Sequence, residues 1–219
     1  SRYFNLQVSR ADVKAVWSGL RPLVSDPKAT DTAKLARDHV IEDSKDGLLT
    51  IAGGKWTTYR KMALDTVDHA LKLFKLAAPK PTCQTEQLPI MGSADYKEKG
   101  DLELSNKYGF DPDIAAYLNR TYGDQASKVA ELTLDGNGAR LVENHPVLEA
   151  EVLYAARYEL AERVIDVLAR RMPLALLDTE AAKQAAARVQ EIMATELGWD
   201  QQRCDAEAEW TKKRLTEAL

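Results

Sequence analysis

The sequence is poor in the residues that build metal sites and disulfide scaffolds. It contains 2 cysteines and 3 histidines among 219 residues, and Cys83 and Cys204 lie far apart with no Cys-x-x-Cys spacing. A small fold stabilised by several disulfide bonds is therefore excluded, and a zinc site is not expected. We predict no metal site in this chain and folding in a reducing compartment.

The chain also lacks a long hydrophobic run and a secretory leader. It has no stretch of about 18 consecutive apolar residues, so it predicts no transmembrane helix. Residues 1–6 (SRYFNL) show neither an initiator methionine nor the charged and apolar regions of a signal peptide. We expect a fragment or a processed piece of a longer protein.

The composition is that of a folded domain with an uneven charge. Hydrophobic residues make up 45% and charged residues 29%, which excludes a disordered tail. Residues 1–80 carry 14 Lys and Arg against 9 Asp and Glu, whereas residues 81–219 carry 16 against 25. The basic first part favours an anionic ligand. Its cations are not interleaved with aromatic residues, which argues against nucleic acid as the partner.

The first part of the chain has an α+β pattern. Two β-rich runs, 39–41 and 48–52, flank an Asp46-Gly47 pair that favours a tight hairpin turn. Two glycines follow, and apolar residues from Met62 to Phe74 then recur on one face of a helix. Earlier, a possible capping box at Ser9 and helical spacing of apolar residues predict a short helix over 9–20.

The second part reads as helical throughout. Three prolines between 76 and 92 indicate a linker, assigned here to 81–94, and residues 95–219 are predicted to form an all-α domain. One helix is expected over 146–172, with Asp166 placed to pair with Arg170. Another is expected from Asp178 to Gly198, with a last one capped by Asp200.

The most informative stretch is the turn at 53–60 (GGKWTTYR). A strand that passes through Gly53 and Gly54 into a helix exposes unpaired backbone N–H groups at the positive end of that helix. Lys55 adds a positive charge, and the Thr57 and Thr58 hydroxyls can donate hydrogen bonds. This pattern suits an anion or an electron-rich carbonyl. The alternative is an ordinary strand-to-helix connection in which the threonines only cap the helix.

Other candidate residues are weaker when taken alone. An arginine suits phosphate, but Arg21 taken alone favours a cation at a helix end, and Arg37 taken alone favours a surface ion pair. His39 reads as a structural histidine. Four glutamates suggest a carboxylate-rich metal helix, but no Glu-x-x-His accompanies them, which favours a solvated face. They are Glu149, Glu151, Glu159 and Glu162.

Several motifs together resemble a known family. Residues 17–24 (WSGLRPLV), 36–40 (ARDHV) and 48–60 (LLTIAGGKWTTYR) are similar to the carboxyl-terminal portion of FAD-dependent glycerol-3-phosphate dehydrogenase, and the tryptophan in the third favours its mitochondrial form. The likeness continues through 149–154 (EAEVLY) and 198–200 (GWD), so it covers nearly the whole chain.

The resemblance implies an architecture and a function. Residues 1–80 would end an FAD and substrate domain of the glycine-oxidase type, and 95–219 would form the helical carboxyl-terminal domain. Family members oxidise sn-glycerol 3-phosphate to dihydroxyacetone phosphate by hydride transfer to FAD and pass electrons to ubiquinone. They do so as peripheral proteins of the mitochondrial inner membrane or, alternatively, of the bacterial cytoplasmic membrane.

The resemblance also implies a role for each candidate residue. Gly53 and Gly54, with Lys55, Trp56, Thr57 and Thr58, would contact the flavin. Arg21, Arg37 and Lys55 would receive the substrate phosphate, with Arg21 and Lys55 also taking part in catalysis.

The family's dinucleotide fingerprint, Gly-x-Gly-x-x-Gly, does not occur in this chain. The resemblance therefore implies a missing amino-terminal FAD-binding portion, and we expect these 219 residues alone neither to bind FAD stably nor to turn over. Two alternatives stay open: a helical interaction or membrane-docking module without catalytic residues, and the oxygen-using glycerol-3-phosphate oxidase relative.

Overall fold

The hairpin predicted around Asp46 and Gly47 is confirmed. The computed structural model describes residues 6–20, 24, 38–77 and 83–217. In it, strand β1 (His39–Asp43) pairs antiparallel with strand β2 (Leu49–Gly53), and His39 lies opposite Gly53. Gly47 closes the turn with a φ of 81°, a left-handed conformation that glycine adopts without steric cost.

The helix predicted after the glycine pair is also confirmed. A 3-10 turn, Trp56–Thr58, follows strand β2 and leads into helix α1 (Tyr59–Leu73). Helix α1 contacts strand β2, but none of its residues is fully buried. The helix therefore lies on the hairpin without enclosing a core.

From residue 100 onward the described chain is helical, as predicted. Seven α-helices follow in chain order: α2 (Gly100–Tyr108), α3 (Pro112–Tyr122), α4 (Ala126–Glu131), α5 (Glu149–Tyr158), α6 (Leu174–Leu177), α7 (Thr179–Leu197) and α8 (Gln201–Thr216). Short 3-10 turns occur at Gly123–Gln125 and Leu132–Asp135, and a π-helical turn occurs at Asp166–Arg171. No helix in the described ranges is both long and apolar enough to cross a membrane.

These helices share one hydrophobic core. Its largest fully buried apolar side chains are Leu118, Tyr154, Leu148, Ile165, Leu168, Met172, Leu174 and Met193. Helix α7 contacts α5, α6 and α8, so it lies at the centre of this part of the fold. Its ends were correctly predicted, because the Asp178 carboxylate accepts the Ala181 N–H and Gly198 follows the last turn in a left-handed conformation.

The chain divides into two compact units, which we call the helical unit (Ser1–Ser18 with Ile90–Leu219) and the hairpin unit (Gly19–Pro89). The early segment joins the helical unit through Lys14, whose carbonyl accepts the Thr179 N–H at 3.0 Å. The Lys14 ammonium lies 3.6 Å from the Asp178 carboxylate. The functional domain boundaries at 80 and 95 stay a prediction.

The short helix predicted over 9–20 is wrong. Only Arg10–Asp12 form a 3-10 turn, and residues 13–20 have no helical hydrogen bonding. Leu20 is 100% exposed and Trp17 is 66% exposed. A helix of this length is stable in water only when its apolar face is packed, and no described residue covers that face.

The single helix predicted over 146–172 is also wrong. Helix α5 ends at Tyr158, and Leu160 adopts a left-handed φ of 55° with its side chain 81% exposed. The Ala161 N–H bonds the Ala155 carbonyl, which closes the helix end and breaks the apolar stripe. The predicted pair of Asp166 and Arg170 is confirmed at 2.6 Å.

Candidate functional site

The Gly53-Gly54 turn has a backbone that only glycine accommodates. Gly53 and Gly54 have φ values of 76° and 78°. A Cβ atom on Gly54 would lie 2.7 Å from the Met62 Sδ and 3.2 Å from the His39 Cβ. Internal packing therefore requires glycine here, and the result is a bare stretch of backbone on an exposed turn.

The turn presents a run of free N–H donors. Among the described residues, none accepts a hydrogen bond from the backbone N–H of Gly54, Lys55, Trp56 or Thr57. All four residues are exposed. These N–H groups precede helix α1 directly, so they lie at the positive end of its dipole. The arrangement can bind a carbonyl oxygen or an anion.

The two threonines differ in their local contacts. The Thr58 hydroxyl donates to the Lys55 carbonyl at 2.9 Å, which satisfies its proton within the turn. Thr57 makes no such bond within the described part of the chain, so its hydroxyl is available to a ligand. Thr58 lies at the N-cap position of helix α1, but its side chain accepts no capping hydrogen bond from that helix. Its hydroxyl oxygen can therefore still accept a hydrogen bond.

Lys55 and Trp56 project into solvent beside these donors. Lys55 is exposed, and within the described ranges its ammonium makes no ion pair. The Trp56 ring is 87% exposed and stacks on Tyr59 with 5.8 Å between ring centroids. Arg21 and Arg37 lie outside the described residues, so their convergence on Lys55 stays a prediction.

A polar pair beside the turn was not anticipated from the sequence. The His39 Nε2 lies 3.1 Å from the Asp65 Oδ2, and its Nδ1 lies 3.0 Å from the Asp38 Oδ1. Lys61 donates to Asp65 and, with a smaller contribution from the His39 imidazole, lowers the pKa of that carboxyl. No pattern in the sequence linked these positions, because the contact depends on how helix α1 packs on strand β1.

The glutamates of helix α5 are not a solvated face, which corrects the expectation for Glu149 and Glu151. The Arg188 guanidinium donates to both Glu149 oxygens, at 2.7 and 2.8 Å. Glu151 is fully buried and accepts the Leu148 N–H at 2.6 Å and the Tyr122 hydroxyl at 2.8 Å. Burial raises the pKa of Glu151 to about 7, because these donors only partly replace its lost hydration.

A second buried carboxylate anchors helix α8. Glu207 is fully buried and accepts two bonds from Arg163, both at 3.1 Å, and the Val164 N–H at 3.0 Å. The Arg163 guanidinium lies 3.6 Å from the Trp210 ring centroid. These carboxylates join helices and do not gather as ligands. Among the described residues, no group of three or more His, Cys, Asp or Glu side chains is placed to hold a metal ion.

Comparisons with known proteins cover both units. The chain is 42% identical to the mitochondrial glycerol-3-phosphate dehydrogenase SDP6 of Arabidopsis thaliana, over 98% of this chain and 36% of that protein. It is 44% identical to the mitochondrial glycerol-3-phosphate dehydrogenase of Mesocricetus auratus, over 96% of this chain and 29% of that protein. The chain thus spans about a third of the length of these relatives.

A solved structure shares the fold. The glycerol-3-phosphate dehydrogenase of Bacillus halodurans, solved in complex with FAD, superposes with a TM-score of 0.67 at 24% sequence identity. The match covers 82% of this chain and 37% of that one.

A protein-family model matches one defined stretch of the sequence. The family described as the C-terminal domain of alpha-glycerophosphate oxidase matches residues 83–204, which is more than half of the chain. That stretch contains helices α2 to α7 with their common core. The chain therefore belongs to the glycerol-3-phosphate oxidase and dehydrogenase family, and its residues 83–204 match the family's carboxyl-terminal domain.

Proposed function

We propose that this chain is the carboxyl-terminal part of a flavoprotein that oxidises sn-glycerol 3-phosphate to dihydroxyacetone phosphate. The observation that carries the proposal is the Gly53-Gly54 turn, where four N–H donors and the Lys55 ammonium share one exposed bend and have no partner among the described residues. Residues 83–204 match the family described as the C-terminal domain of alpha-glycerophosphate oxidase, which supports this chemistry.

The residues of the turn fit the pyrimidine end of a flavin. Its carbonyl oxygens need donors, and the N–H groups of Gly54 to Thr57 have no partner in the described part of the chain. The positions that a Cβ would take on the two glycines face Val24, Met62 and His39, so neither residue puts a side chain between the backbone and a planar ring. FAD, when bound, supplies the hydride acceptor. Donors and the helix dipole at this position favour the negative charge that reduction adds to the ring.

We assign the substrate phosphate to a cluster of three cations. Lys55 stands exposed at the turn, and we place Arg21 and Arg37 beside it, with Arg21 and Lys55 also orienting the reacting hydroxyl. The excess of basic residues over 1–80 supports an anionic substrate, since it raises the local potential around the site. Guanidinium groups suit phosphate because they donate two parallel hydrogen bonds.

We further propose ubiquinone as the electron acceptor and a peripheral position on the mitochondrial inner membrane. The names of the similar proteins support the mitochondrial location. In this assignment residues 1–80 complete the flavin and substrate domain, 81–94 link the two parts, and 95–219 form the helical domain. The oxygen-using relative differs only in the acceptor, so release of hydrogen peroxide during turnover would favour it over ubiquinone.

The proposal is tested by replacing one lysine at each end of the hairpin. In the FAD-loaded enzyme that contains this chain, Lys55→Met should lower kcat/KM for glycerol 3-phosphate by about 100-fold or more, since a charge that binds the substrate is lost. Lys45→Met, at the exposed turn between the strands, is the matched control and should stay within about 2-fold. Equal activity of the two variants would contradict the proposed site and would favour the interaction module.

A second test concerns the chain by itself. No Gly-x-Gly-x-x-Gly is present to hold the FAD pyrophosphate, so the purified 219-residue chain should retain no flavin and show no turnover. Flavin absorbance that stays with the chain through gel filtration would contradict this expectation.

A further inference from the structure

The His39 side chain occupies an unusual place for an imidazole on a small hairpin. Only 10% of it is exposed, and each ring nitrogen faces a carboxylate, Asp38 on one side and Asp65 on the other. The ring thus forms the centre of a carboxylate–imidazole–carboxylate chain.

The two contacts of His39 differ in what they connect. Asp38 is its neighbour in sequence and also accepts the His39 backbone N–H at 2.9 Å, so that contact is local. Asp65 lies on helix α1, so the Nε2 contact at 3.1 Å ties strand β1 to the helix. Asp65 is held in turn by Lys61, one helical turn away.

The contact between His39 and Asp65 lies directly beside the Gly53-Gly54 turn. His39 pairs with Gly53 in the sheet, and its Cβ would be 3.2 Å from a Cβ on Gly54. Met62, which packs against the same side of Gly54, belongs to the same helix as Asp65. The turn therefore packs against His39 on the strand and against the first turns of helix α1.

A second histidine provides an internal comparison. His69 on helix α1 faces Asp43 on strand β1, again across the hairpin and helix, but at 3.6 Å and with 40% of its side chain exposed. Asp43 pairs with Leu49, at the end of the hairpin away from the glycines. The two histidines also line one open cleft of about 380 Å³ between strand and helix. Only the closer, more buried contact adjoins the turn.

We propose that His39, through Asp65, is a positioning residue that fixes the Gly53-Gly54 turn and so aims the free N–H groups and Lys55 at their ligands. The inference depends on the proposed function only for the identity of these ligands. The positioning itself follows from contacts within the hairpin unit.

The first experiment tests positioning without any flavin. Asp65→Asn weakens the contact between positions 39 and 65 and leaves the imidazole in place. Asp43→Asn is its matched control. In the 219-residue chain labelled with ¹⁵N, Asp65→Asn should shift the amide resonances of Gly54 and Lys55, and Asp43→Asn should leave them unchanged. If the Gly54 and Lys55 amide resonances have the same positions in Asp65→Asn as in Asp43→Asn, the inference is overturned.

The second experiment uses the FAD-loaded enzyme and separates the two ring nitrogens. The Gln amide nitrogen can reach the position of Nε2, whereas that of Asn reaches only the position of Nδ1. His39→Asn should therefore lower kcat per bound flavin by about 10- to 100-fold, because reacting groups are misplaced. His39→Gln should recover most of that loss, and His69→Asn should match the unaltered enzyme.

The outcomes separate this inference from the proposed function. If Lys55→Met abolishes turnover while His39→Asn and His69→Asn match the unaltered enzyme, the positioning role is overturned and the site stands. If Lys55→Met retains full activity, the site assignment fails, and the amide resonances alone decide whether His39 positions the turn. A loss of thermal stability in His39→Asn with unchanged kcat per bound flavin would show a merely structural residue and overturn the inference.

Discussion

The helical unit and the hairpin unit differ sharply in how much they bury. Within the described ranges, every fully buried side chain belongs to the helical unit, and the hairpin unit has none. The helical unit also buries charged groups, each with donors arranged around it. The hairpin unit instead leaves its ligand-binding candidates from Gly54 to Thr58 exposed.

This difference indicates which unit can specify its own structure. A shared core and buried ion pairs give the helical unit most of its stabilising contacts internally. Within its described residues, the hairpin unit has two strands and one α-helix, which is close to the lower limit for independent stability in water. We therefore expect its precise geometry to depend on a few polar contacts, of which the pair of His39 and Asp65 is the most buried.

The largest effect is expected from breaking the buried pair that anchors helix α8. Arg163→Met leaves the Glu207 carboxylate buried without its main partner, and should lower the free energy of unfolding by about 3–5 kcal/mol. Urea denaturation followed by circular dichroism would measure it. Lys183→Met is the control, because its exposed pair with Glu180 should contribute less than about 0.5 kcal/mol. Similar losses of unfolding free energy in both variants would contradict the expectation that the buried pair contributes more than the exposed pair.

A pair of leucine truncations tests the contrast between the units directly. Leu168→Ala removes a fully buried side chain from the helical core and should cost about 2–5 kcal/mol. Leu73→Ala, on helix α1 with its side chain partly exposed, should cost less than about 1 kcal/mol. Hydrogen exchange measured by mass spectrometry reports each unit separately. A larger loss for Leu73→Ala would show that the hairpin unit has a core of its own.

The buried Glu151 predicts that stability falls as pH rises. Its folded pKa of about 7 exceeds the ordinary value of 4.5, so the native state binds more protons than the unfolded state between these two values. Unfolding free energy should therefore decrease by about 3 kcal/mol from pH 4.5 to above pH 7. Glu151→Gln keeps an acceptor for the Leu148 N–H but cannot ionise there. Thermal unfolding as a function of pH should lose this slope in the variant; an unchanged slope would refute the assignment.

The smallest effect is expected at the hairpin turn. Gly47→Ala places a Cβ at a φ of 81° and should destabilise the hairpin by about 1 kcal/mol. Native-state hydrogen exchange of the strand amides would detect faster opening, whereas the amides of helix α7 should be unaffected. Lys45→Ala, in the same turn, should leave exchange unchanged. Global unfolding in response to Gly47→Ala would mean that the two units unfold as one.

Local signals in the sequence predicted the elements with strong turn and cap chemistry. Asp46 and Gly47 correctly predicted the hairpin, and Asp178 and Gly198 correctly predicted the limits of helix α7. Periodicity alone was less reliable. The stripe through Leu160 predicted one continuous helix, because the spacing of apolar residues does not reveal a left-handed residue that ends a helix.

The candidate site was predictable only in part, for a physical reason. The Gly53-Gly54 turn and Lys55 adjoin one another in the sequence, so their proximity follows from chain geometry. His39 and Asp65 are separated by 26 positions, and their contact depends on how helix α1 packs on strand β1. Likewise, Glu149 and Glu151 read as solvated until the packing of helix α5 showed that both are buried.

The sequence by itself determined where the backbone must turn, since glycine, proline and capping residues act on their immediate neighbours. It also determined the family, through motifs spread along the chain. Tertiary structure alone decided which charges are buried, which carboxylate each histidine faces and which N–H groups have no partner among the described residues. Those properties depend on distances between residues far apart in the chain, and such distances are set only when the apolar surfaces pack.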